Sequence, residues 1–84
     1  MAIMDPSQIE TRVKGILSKV LNIEENKISP QTRLVEDLAI DSFLSVELLF
    51  ELEDQSGLKI SDEDFINLKT VGDVITYMKS RLSA

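Results

Sequence analysis

Apolar residues recur at helical spacing in three separated stretches of this chain. Ile9, Val13, Ile16, Leu17 and Val20 share one face of a first helix, and Leu48, Leu49 and Leu52, with Ser45, share one face of a second. Val71, Val74, Ile75, Met78 and Leu82 continue the same spacing toward the C-terminus, and Phe65, Ile66 and Leu68 suit a short helical turn just before them. No stretch alternates with the period of a half-buried strand, and no repeat or low-complexity segment breaks the series. The pattern predicts an all-α fold: a small antiparallel bundle of three main helices plus one short helix, with residues 1–84 forming a single domain.

Punctuation between these stretches supports the boundaries. Asp5-Pro6-Ser7 announces the first helix, because proline is tolerated at the first helical position and Ser7-Gln8-Ile9-Glu10 fits a capping box. Ser61 to Asp64 and Thr70 to Asp73 repeat that signal ahead of the short helix and the last one. Gly57 reads as the residue past the end of the second helix, where a left-handed backbone is cheap for glycine, with Leu58 and Ile60 tucking back toward the core. Gly15 weakens the first helix slightly, which is expected to reflect close packing there. From Asn22 to Ile40 the periodicity stops and Asn, Pro, Ser and Thr accumulate, so a long loop joins the first two helices. A loop of this length must be fastened to a compact domain; Ile28, Leu34, Val35 and Leu38 are the expected pins, and Pro30 is expected to open a turn.

The second helix is apolar on two sides. Phe43, Val46 and Phe50 lie nearly opposite the Ser45–Leu48–Leu49–Leu52 stripe, interleaved with Glu47, Glu51 and Asp54. So short a chain has few elements with which to cover both sides, so the second stripe is expected to be a contact surface. Apolar anchors set among carboxylates suit a basic partner with apolar pockets.

Composition removes several classes of function. The chain of 84 residues has no cysteine and no histidine, which takes away disulfides, thiolate nucleophiles, Cys-type zinc sites and the commonest general base. No catalytic residue and no metal site is assigned; the acidic run Asp62-Glu63-Asp64 lacks the spacing and glycine of a calcium loop and reads as carboxylates at a helix start. Fifteen acidic against nine basic residues give a net charge of −6, unsuited to nucleic acid or anionic membrane surfaces. No run is long enough to span a bilayer and Met1 to Met4 do not resemble a signal peptide, so no membrane insertion and a cytoplasmic location are expected, as is a monomer.

Asp41 and Ser42 stand where the second helix begins, and either side chain can cap it, leaving the other free. The unpaired N–H groups and dipole of a helix start favour an anion, so a phosphodiester on Ser42 Oγ would meet a site that the backbone already supplies. Asp41-Ser42-Phe43, followed by Val46-Glu47-Leu48, Glu53-Asp54 and Gly57, resembles the acyl carrier protein family, whose mark is Asp-Ser-Leu at the head of an acidic second helix. The spacing from the first helix, the Leu58 to Glu63 run and Thr70 to Val74 extend the resemblance over nearly the whole chain.

That resemblance implies that Ser42 carries 4′-phosphopantetheine, transferred from coenzyme A by a separate phosphopantetheinyl transferase. Asp41 would flank it at the helix start, and Phe43, Leu44, Val46, Glu47, Phe50, Glu51, Glu53 and Asp54 would meet basic patches of the transferase and of acyl-loading and acyl-processing enzymes. The chain departs from the family pattern at Ala39, where Gly is usual, at Phe43 for Leu, at Leu44 for an acidic residue and at Ser56 for an aromatic one. These changes leave the modified hydroxyl untouched but alter the partner surface, which points to a specialised lipid or polyketide pathway beside the fatty acid one. The competing expectation is an acidic helical protein-interaction module that uses the same helix without a prosthetic group.

Overall fold

In the computed structural model, which describes residues 8–83, the chain forms α1 (Ile9–Leu21), α2 (Ser42–Ser56), α3 (Asp62–Ile66) and α4 (Val71–Ser83), with no strand among the described residues. α1 lies against both α2 and α4, while α3 makes no comparable helix–helix interface. The core is the set of faces that the periodicity marks: Ile9, Val13, Ile16 and Leu17 from α1, Leu48 and Leu52 from α2, and Val71, Val74, Ile75 and Met78 from α4. No described helix is long and apolar enough to cross a membrane.

The helix ends follow their local chemistry. Thr70 Oγ1 accepts from Asp73 N–H at 3.0 Å while the Asp73 carboxylate accepts from Thr70 and Lys69 N–H at 3.1 and 2.9 Å, a complete capping box at α4. The box at α3 is only half made: Ser61 Oγ accepts from Asp64 N–H at 3.1 Å, but the Asp64 carboxylate turns away to accept from the Tyr77 hydroxyl at 2.9 Å. Arg81 donates to Tyr77 Oη and to the Lys59 carbonyl rather than to its own helix end, so one corner of α4 straps down both α3 and the segment before it. Burial and the Asp64 partner push the Tyr77 phenol above its ordinary range. The expected Ser7 box lies outside the described residues; Gln8, next to it, makes no side-chain cap.

The long connection is more ordered than its composition implies. Glu25–Lys27 forms one 3-10 turn, and Thr32 N–H donates to the Ser29 carbonyl at 3.0 Å, closing the turn that Pro30 opens. Three backbone bonds then stitch the loop to the start of α4: Leu34 N–H to the Lys69 carbonyl at 2.9 Å, Val71 N–H to Thr32 at 2.9 Å and Gly72 N–H to Pro30 at 2.8 Å. A β-carbon on Gly72 would stand 3.0 Å from the Pro30 carbonyl oxygen, so any larger residue would have to push that stitch apart by a few tenths of an ångström. Ile28 and Leu34 are buried pins, as expected, and Leu38 is half-buried. Val35 corrects the expectation: its carbonyl accepts from Ala39 N–H, but its side chain points outward, 67% exposed. Gly15 also differs, because a β-carbon there meets nothing within 4 Å; close packing is not its reason.

Ala39 holds φ 55°, a left-handed conformation that glycine adopts without penalty. This explains why the resemblance expects glycine there. Ala39→Gly is expected to raise the unfolding free energy by about 0.5–1 kcal/mol, the left-handed penalty less the extra entropy of an unfolded glycine. Chemical denaturation of the two proteins checks it.

Hydrogen bonds from Lys69 and Thr70 hold the Asp73 carboxyl below the usual carboxylate range. A lowered folded-state pKa adds stability that is complete above the unfolded value of about 3.9 and disappears as pH falls through the folded one. Asp73→Asn should therefore be less stable than wild type at pH 7, with the gap narrowing as the solution is acidified below about pH 4. Denaturation midpoints followed across that range test the sign.

Candidate functional site

The start of α2 resolves which of two neighbours caps and which is free. Asp41 sits outside the helix in extended backbone and its Oδ1 accepts from Leu44 N–H at 2.9 Å, while its carbonyl accepts the first intrahelical bond from Ser45 at 2.8 Å. Ser42 is the first helical residue and is exposed, and its hydroxyl makes no hydrogen bond among the described residues. The backbone N–H groups of Ser42 and Phe43 have no carbonyl one turn earlier within the helix, so two donors and the positive end of the dipole lie beside a free hydroxyl.

A cavity of about 380 Å³ opens next to that hydroxyl. The loop contributes Leu34, Val35 and Ile40 to its wall, α2 contributes Ser42, Ser45 and Leu48, and the opposite side comes from Phe65 and Ile66 of α3 with Leu68 and Lys69 beyond it. A smaller groove of about 150 Å³ adjoins it, between Ser45, Val46 and Leu49 of α2 and the same Phe65 and Ile66. α3 thus faces α2 across two apolar spaces and is attached by side chains and a few polar bonds.

Away from the cavity, the outer stripe of α2 is bare: Phe43 is 68%, Val46 53% and Phe50 67% exposed. Glu47 and Asp54 accompany them on the surface. Other residues assigned to this surface from the sequence are engaged elsewhere. Leu44 is half-buried and packs on the core, and Glu51 pairs with Lys19 of α1 at 3.3 Å. Glu53 Oε2 accepts from Ile60 N–H at 2.8 Å, fixing the chain after Gly57, whose own N–H caps α2 from a left-handed φ of 74°. Ser56 is buried where the resemblance expects an aromatic ring; its hydroxyl donates to the Leu52 carbonyl at 2.6 Å and accepts from Leu58 N–H at 3.2 Å.

Two residues at the cavity mouth escape a reading of the sequence. Val35 and Ile66, 67% and 70% exposed, have the composition of core residues, and only the tertiary arrangement turns them outward. Lys69, one residue before the α4 capping box, has no signal beyond its charge. Among the described residues, no cluster of three or more acidic side chains is arranged to hold a metal ion.

The family model for the phosphopantetheine attachment site matches residues 11–78. The chain is 43% identical over 72 residues to the meromycolate extension acyl carrier protein of Mycobacterium leprae, an alignment covering 86% of this chain and 63% of that protein. It is 38% identical over 81 residues to an acyl carrier protein of Thermosynechococcus vestitus, covering 96% of this chain and 100% of the relative. With an acyl carrier protein of Thermotoga maritima the identity is 33% over 75 residues, 89% and 93% of the two chains. This chain therefore spans less than two thirds of the mycobacterial relative and nearly all of the other two.

Proposed function

The chain belongs to the phosphopantetheine attachment-site family, and from that premise we propose that it is an acyl carrier whose prosthetic arm is joined to Ser42 Oγ. It carries 4′-phosphopantetheine covalently, for fatty acid or related lipid biosynthesis. When bound, that group supplies a terminal thiol on which an acyl chain is held as a thioester.

The single observation that carries the site is the division of labour between two adjacent side chains. Asp41 is committed to Leu44 N–H and keeps the helix start in place, so Ser42 has no structural duty and faces solvent. A phosphodiester there meets the unpaired N–H groups of the first turn, which favour the anion. Beside it, the walls formed by Leu34, Ile40, Leu48, Phe65 and Leu68 suit an alkyl chain and exclude water from it.

The partner surface is narrower than the sequence implies. Phe43, Val46 and Phe50 supply apolar anchors, with Glu47 and Asp54 as the charges that steer a basic patch of the transferase or of an acyl-processing enzyme. Glu51 and Glu53 act mainly inside the fold. The bare aromatic ring of Phe43, where the resemblance expects Leu, favours partners with a wider apolar pocket and hence a specialised pathway. Incubation with a broad-specificity phosphopantetheinyl transferase and coenzyme A is the test: the intact mass should rise by one phosphopantetheinyl unit. An unchanged mass would favour a plain protein-interaction module instead.

A further inference from the structure

We propose that Lys69 is a positioning residue for the prosthetic arm: its ammonium pairs with the phosphodiester on Ser42 and holds the arm over the cavity between the loop, α2 and α3. This rests on the assignment of the arm to Ser42. Lys69 and Ser42 line the same cavity, and Lys69 is the only charged residue in a wall that is otherwise apolar or hydroxyl-bearing.

Its backbone is fixed from both sides, because its N–H donates to the Asp73 carboxylate at 2.9 Å and its carbonyl accepts from Leu34 N–H at 2.9 Å. The root of the side chain is therefore anchored to the start of α4 and to the loop at once, while the four-carbon stem is left to reach. Among the described residues its ammonium makes one contact, with the Ile66 carbonyl at 3.2 Å, and no carboxylate lies within ion-pair distance. Arg33, the other cation of this region, is by contrast held by Glu36 and Asp37 at 2.8 and 3.2 Å. A phosphodiester monoanion at the rim is thus offered one cation that need not break an ion pair to accept it. Without that partner, the diester keeps only the N–H groups of the first turn against Asp41 and a chain of net charge −6, which leaves the arm freer to swing away.

The test uses the holo-protein as wild type, Lys69→Gln and Lys69→Arg, with complete loading confirmed by intact mass. Both changes leave the backbone bonds to Asp73 and Leu34 in place. The phosphorus-31 resonance of the diester should move between low and high salt in wild type and Lys69→Arg, and stay fixed in Lys69→Gln. On loading with an octanoyl group, the fraction of molecules whose Leu48 and Leu68 methyl signals report an occupied cavity should shift toward the open form by about two- to fivefold in Lys69→Gln, the span of an exposed ion pair. Identical phosphorus resonances and cavity occupancy in wild type and Lys69→Gln would overturn the assignment while leaving Ser42 as the attachment point. A wild-type chain that gains no mass would remove the premise and the inference together.

Discussion

Leu52→Ala is expected to destabilise the fold by roughly 3–5 kcal/mol, the range for a fully buried leucine whose cavity cannot collapse. Leu52 is 0% exposed and lies in the core with residues of α1 and α4. For 84 residues the whole stability is about 4–13 kcal/mol, so the variant should lose a large fraction of it and unfold at a much lower urea concentration than wild type. Phe50→Ala, two residues earlier on the opposite side, removes a larger side chain that is 67% exposed, and its stability should stay within about 0.5 kcal/mol of wild type. Its loss should appear instead as weaker engagement by the transferase, read as a higher KM with little change in kcat if the ring only binds. Urea denaturation of the two variants, with transferase kinetics on the second, separates the inner stripe of α2 from the outer one. Equal destabilisation would mean that both sides are packed.

The contrast shows what could be read from the chain. Helical periodicity located α1, the inner stripe of α2 and α4, because each side chain's burial there depends on neighbours three and four places away on the same helix. The bare outer stripe was legible for a related reason: too few elements remained to cover it. What stayed hidden depends on contacts between distant segments. The stitches from Leu34, Thr32 and Pro30 to the start of α4 are backbone bonds, which no side-chain pattern announces. Val35 and Ile66 are ordinary apolar residues whose exposure follows from where the loop and α3 happen to lie. Glu51 and Glu53 looked like surface charge by their position on α2, and only the approach of Lys19 and of Ile60 N–H draws them into the fold. Likewise, sequence offered Asp41 and Ser42 as equal candidates for the cap, and the Leu44 N–H to Asp41 bond decides between them.

Because Asp41 does the capping, Ser42→Ala should fold as wild type does, with a stability change within about 0.5 kcal/mol, and should lose modification entirely. An Asp41→Ala variant behaves differently: it gives up the cap and should lose about 1 kcal/mol of stability, yet keep the hydroxyl and remain a substrate, although a poorer one. Thermal unfolding and mass measurement of the two variants therefore dissociate the structural neighbour from the functional one.

Fragmentation mass spectrometry of the wild-type chain after treatment with the transferase and coenzyme A reads the central claim most directly. Ser45 lines the same cavity one turn further along α2 and provides an internal control for proximity alone. The added phosphopantetheinyl mass should reside on Ser42 and nowhere else, and Ser42→Ala should remain at its unmodified mass. Modification found on Ser45, or undiminished in Ser42→Ala, would contradict the account.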